Sequence, residues 1–138
     1  MRRLIVLALF TLAAALATPA LAQPQGKQKV ISGPGAGELD LRDIKTRADG
    51  SVSGTVVNNT SSTMKGVRLL VKHTWYWKDE RHPGEDSPGR SGYVDVSGDI
   101  APAGSAGFTY TPHPPLPDRS DGTFKTTVSV QEFTQVGQ

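Results

Sequence analysis

Any chemistry in this chain has to start from three histidines, His73, His82 and His113, because the sequence contains no cysteine. Without a thiol there is no sulfur nucleophile, no disulfide and no lipid anchor on cysteine. A zinc site needs three or four ligands gathered in tetrahedral geometry, and no two of the histidines stand at a short ligand spacing. His82 lies within Asp79-Glu80-Arg81-His82-Pro83-Gly84-Glu85-Asp86, whose carboxylates could meet a divalent cation. That stretch lacks the alternating acidic ligands and distal Glu of an EF-hand loop, so it reads as a solvated loop tip. Gly104-Ser105-Ala106-Gly107 approaches the nucleophile elbow G-x-S-x-G. However, Ala103 stands at the first glycine, and a strand follows where the elbow needs a helix. Gly33 and Gly35 begin a dinucleotide fingerprint that fails at Glu38, the third glycine position. The expectation is a protein that is not an enzyme, with no catalytic residue, no metal and no cofactor.

The remaining lead is aromatic. Trp75, Tyr76 and Trp77 hold both tryptophans of the chain. Aromatic rings stack on sugars and are enriched at protein interfaces. A sandwich core also commonly holds a Trp on a central strand. Alternation places Val67, Leu69, Val71, His73, Trp75 and Trp77 on one face, with Arg68, Lys72, Thr74, Tyr76 and Lys78 on the other. Trp75 is thus expected in the core and Tyr76 at the surface, with Trp77 at the strand end open to either. His73 falls on the core face, so it must be buried with a partner or be displaced by a bulge. Tyr76, Trp77 and His82 are the candidate ligand- or partner-binding residues.

The elements that would position these residues have a period of two. Leu39 and Leu41 alternate with polar neighbours, Asp49-Gly50 signals a tight turn, and Val52, Gly54 and Val56 share a strand face. Asn58 to Ser62 reads as a turn made by side chains folding back on the backbone, although it also matches the glycosylation acceptor pattern. Val67 to Trp77 is the longest strand, and 78–92 is a charged loop. Val94 and Val96, Phe108 and Tyr110, and Phe124, Thr126, Val128 and Val130 mark three more strands. The Pro-rich run from Pro112 to Pro117 reads as a stiff crossover rather than a polyproline II ligand. No mature segment keeps a helical period. Six or seven short strands with turns between them predict an all-β domain, a single antiparallel immunoglobulin-like sandwich. The expected division is a signal peptide over 1–22, a flexible tether over 23–37, the sandwich over 38–133 and a tail over 134–138.

Three segments, Gly54-x-Val56-x-Asn58, Val67-x-Leu69-x-Val71 and Ile100-x-Pro102-x-Gly104 with Phe108, resemble the FxLYD-type domains. These are bacterial immunoglobulin-like modules of exported proteins, and the similarity spans roughly Leu39 to Val130. His73-Thr74-Trp75-Tyr76-Trp77 departs from the motif that names the family, and the following loop is longer and more charged. The resemblance implies the sandwich fold and no catalytic residues. The function expected is a non-catalytic module contacting another exported or envelope protein. The alternative is a carbohydrate- or peptidoglycan-binding module using the Trp75–Trp77 run.

The first 22 residues have the three parts of a secretory signal: Arg2-Arg3, the apolar Leu4 to Ala17, and the cleavage site Ala20-Leu21-Ala22. Cleavage would remove two of fifteen basic residues, leaving thirteen against thirteen acidic ones. The mature domain would be neutral, with no basic cluster for nucleic acid. No second apolar run exists to span a membrane, so the protein is expected in the bacterial periplasm or medium. Intact-mass analysis of exported protein should give a chain beginning at Gln23. A mass retaining Met1 to Ala22 would reverse both the processing and the localisation.

Overall fold

A computed structural model describes residues 28–32 and 37–137 of the chain. The expected signal peptide and its cleavage site lie outside these residues. The strands are β1 (Gln28–Ser32), β2 (Leu39–Thr46), β3 (Val52–Asn58), β4 (Thr63–Trp77), β5 (Arg90–Asp95), β6 (Ser105–Tyr110) and β7 (Gly122–Val136). One sheet has the order β1-β7-β4-β5 and the other β2-β3-β6, every pairing antiparallel. Consecutive strands lie in different sheets at β1/β2, β3/β4, β5/β6 and β6/β7. This is an immunoglobulin-like antiparallel sandwich. In that fold's lettering β2, β3 and β6 stand as A, B and E, and β4, β5 and β7 as C, C′ and F.

The core lies where the two inner faces meet. Val52, Val56 and Phe108 from one sheet face Val67, Leu69, Val71 and Val130 from the other. Leu41, Val94 and Val128 pack against this cluster while half-buried. Trp75 is buried and Tyr76 exposed, as the alternation of β4 requires. Met64, Ile100, Leu116 and Phe133 are also buried. Strict alternation misses Met64 and Phe133 because of two bulges. The β4–β7 register shifts between Lys65 and Arg68, where Gly66 takes a φ of 56°, and again between Arg68 and Leu69. In β7 the second shift leaves Gln131 as the extra residue between Val130 and Glu132. Each bulge reverses which parity points inward, so even-numbered Met64 and odd-numbered Phe133 both reach the core.

Strand pairing extends past both ends of the 38–133 stretch. β1 lies in the stretch read as tether, where Val30 and Ile31, residues able to pair with a sheet edge, lie opposite Thr134 and Phe133. β7 continues to Val136, into the stretch read as tail, since pairing with β4 and β1 resumes beyond the Gln131 bulge.

The turn at Asn58 ties two loops together. Its side-chain Oδ1 accepts from Thr60 N at 3.0 Å and Thr60 Oγ1 at 2.8 Å. Its Nδ2 donates to the carbonyls of Ser62 at 2.7 Å, Ala101 at 3.0 Å and Ile100 at 3.1 Å. The folding-back expected of this stretch is present, and it extends across to the 100–104 turn. Asn58 is fully buried, so truncation strands polar groups that water cannot reach. Asn58→Ala should lower unfolding free energy by about 2–4 kcal/mol, against less than about 0.5 for exposed Ser61→Ala, read from urea melts.

Candidate functional site

At its C-terminal end β4 outruns β5, whose pairing stops with Arg90 opposite His73. Trp75 and Trp77 therefore extend beneath the 78–89 loop and the 111–121 connection rather than beneath a strand. Their rings meet edge to face with centroids 5.8 Å apart, and Phe124 packs on Trp75 at 4.6 Å. The guanidinium of Arg119 lies 5.4 Å from the Trp75 ring and 5.3 Å from the Trp77 ring. A cation over a ring face is attracted by the ring quadrupole, and here one arginine serves two rings.

Two carboxylates fix that arginine. Arg119 donates to Asp121 through Nε at 3.0 Å and Nη2 at 2.6 Å, and to both oxygens of Asp86 through Nη1 at 3.0 and 3.1 Å. Asp86 belongs to the loop after β4 and Asp121 to the turn into β7, so the fork joins both segments to the tryptophans. The Arg119 hydrogen bond is the largest cause holding the Asp121 carboxyl below its ordinary range. Gly84 and Gly122 lie too close to the Trp77 and Trp75 rings, respectively, for a side chain at either position.

His73 stands two residues earlier on the same inner face and is 1% exposed. Its Nδ1 lies 2.8 Å from Thr126 Oγ1, directly across the ladder, while its Nε2 has no partner among the described residues. The Tyr110 ring packs beside it with centroids 6.0 Å apart. Arg90 reaches from β5 to the carbonyls of Pro114 at 2.6 Å and Pro115 at 3.4 Å, strapping down the connection. Pro112 and Leu116 are buried under that strap, and Leu116 N donates to Asp49 O at 2.9 Å. The Pro-rich run is thus the crossover from β6 to β7.

The sequence-derived candidates do not gather. Tyr76 is 45% exposed on the outer face of β4, Trp77 is half-buried under Arg119, and His82 is in the exposed loop. His82 Nδ1 pairs with Asp79 at 2.9 Å, and that contact is the largest cause lowering the Asp79 pKa. His113 is exposed on the connection. Among the described residues no three His, Asp or Glu side chains are grouped to hold a metal ion, and no helix is long and apolar enough to cross a membrane. Ser105 opens β6, exposed and opposite Val57. Sequence reasoning missed Arg119 because nothing in Asp118-Arg119-Ser120-Asp121 marks it. Its role exists only once β4 and the connection are brought together. It likewise missed Tyr93, which is 63% exposed on β5 and lies opposite Leu70 on the outer face. Compared with protein-family models, curated proteins and solved structures, the chain matches none.

Burial lowers the His73 pKa from its ordinary value of 6.5, and the charge of Arg90 lowers it further. Below that value the unfolded chain binds a proton that the folded chain resists, so acid favours unfolding. Stability should be fully present above pH 6.5 and fall as pH drops below it. Urea midpoints at pH 7.5 and 5.0 check this. They should separate for the natural chain and coincide for His73→Leu. A separation of equal size in the variant would place the titrating group elsewhere.

Proposed function

We propose that this chain is an exported, non-catalytic β-sandwich module that works by contacting another protein of the bacterial envelope. The observation that carries the reading is the division of aromatic residues between the two faces of the β4 sheet. Trp75 and Trp77 turn inward and are engaged by Arg119, whereas Tyr76 and Tyr93 stand exposed on the outer face. Around the tyrosines that face presents Lys72, Ser91, Lys125 and Thr127, a polar surface with aromatic anchors. Exposed tyrosines amid small hydroxyl residues suit recognition of a protein surface, where aromatics supply contact area at low entropic cost.

Several polar groups that could serve catalysis have structural work instead. His73 bonds Thr126, Asn58 ties two turns together, and Arg119 binds two loops to the tryptophans. This supports a module without an active site. A glycan platform built on Trp77 is the weaker reading, because Arg119 and Gly84 already lie against that ring. Kinship with FxLYD-type modules belongs to the same proposal. It is supported by the sandwich topology and by the placement of the resembling segments on β3, β4 and the turn into β6.

Site-specific photocrosslinking in the exporting bacterium tests the proposal. A photoreactive residue replacing Tyr76 or Tyr93 should trap a protein other than this chain, and one replacing exposed Asp118 should not. Retention on purified peptidoglycan with no protein trapped from either tyrosine position would replace this reading with the glycan one.

A further inference from the structure

The open edges of the two sheets are treated unequally. The outer edge of β2 carries a bulge at Asp43, whose φ is 54°, flanked by Arg42 and Lys45. β5 and β6 are short, six residues each. Bulges, charges and short length are the devices that stop sheet edges from pairing with other chains. β7 pairs with β4 along one side, interrupted near Gln131, and among the described residues β1 covers the other side from Glu132 to Val136. From Gly122 to Val130 the register with β4 is regular, and among the described residues nothing pairs with the opposite side. That lane reads Gly-Thr-Phe-Lys-Thr-Thr-Val-Ser-Val, with no proline, no bulge and a single charge.

We propose that this lane pairs with the same lane of a second copy, joining two molecules by an antiparallel β7–β7 ladder about a two-fold axis at Thr126. The register follows from geometry. Inner and outer faces must match across a continuous sheet, so paired residue numbers must have the same parity. The regular lane ends at Gly122 on one side and at the Gln131 bulge on the other, and its midpoint is Thr126. Lys125 then faces Thr127 and Thr123 faces Ser129 on the outer side, while Phe124 faces Val128 on the inner side. No like charges oppose, and aromatic with β-branched is a favourable cross-strand pair. A two-fold interface needs a self-complementary patch, which this lane supplies. The lane ends at Val130 and the described part of β1 ends with Ser32 opposite Glu132, so the second copy's strand and β1 share β7 without overlap. The inference stands apart from the envelope-partner reading, although the ladder would make the two outer faces one surface.

The absence of cysteine makes the register directly testable. Lys125→Cys and Thr127→Cys are exposed changes, to be made as separate single variants of the mature chain. Directly opposite residues have Cβ atoms about 4.5–5.5 Å apart, while diagonal ones are about 7–8 Å apart. A disulfide needs about 3.5–4.5 Å, within reach of the first and not of the second. Sedimentation should show a dimer for the natural chain. Oxidation of a mixture of the two variants should link them, and neither alone should self-link. A natural chain that is monomeric up to its solubility limit would overturn the proposal. So would a dimer whose cross-linking does not depend on mixing the two variants.

Discussion

The ladder between β4 and β7 is the constraint on which the rest depends. It pairs two fifteen-residue strands that are separated in sequence by two other strands and three connections. Both shorter partners in this sheet, β1 and β5, attach to one of these two strands. The inner face of the ladder supplies half of the buried hydrophobic residues, from Met64 and Phe133 at one end to Trp75, with Phe124 packed on it, at the other. The bulges at Gly66 and Gln131 let one pair of strands present an apolar face along its whole length despite a change of parity. Such non-local pairing forms only after the intervening loops are closed, so those loops need their own fastenings.

Three polar side chains supply those fastenings. Asn58 joins the 58–62 and 100–104 turns, Arg90 ties the Pro-rich connection to β5, and Arg119 pins the 78–89 loop and the β7 turn to the tryptophans. Each satisfies backbone carbonyls or carboxylates that would otherwise lie open at the ends of the sandwich. Of the three histidines, only His73 is built into the fold, while His82 and His113 stand exposed in the connections. What is left over is a surface, the outer face with Tyr76 and Tyr93, and an edge, the lane of β7.

Alternation made the central strands legible from residue types alone. Val67 to Trp77 and Phe124 to Val130 are regular, and the inward facing of Trp75 and His73 followed from parity. The parts that escaped notice share a cause. Met64 and Phe133 lie beyond bulges, which a count of two cannot cross. Ile100 stands in a turn, yet it bridges to Met64 through both backbone bonds. Arg119 and Leu116 act across distances in sequence that no local pattern records. Asn58 was readable as a turn former because its Thr60 bonds are local, whereas its bonds to the 100–104 turn were not. The loop after β4 was readable as solvated, but it ends at 89 rather than 92, because Arg90 to Gly92 pair with β4, and its anchoring through Asp86 was not readable.

The Trp75–Arg119–Trp77 stack is expected to be part of the cooperative fold rather than an open binding platform. Both tryptophans of the chain lie in this stack, so intrinsic fluorescence reports on it alone. The direct measurement is urea unfolding of the mature chain, followed in parallel by tryptophan emission and far-UV circular dichroism. Coincident transitions are expected, because the stack and the β-ladder should unfold as one unit. A fluorescence transition complete at lower urea, with the β-signal intact, would show that the stack is detachable and would contradict the account.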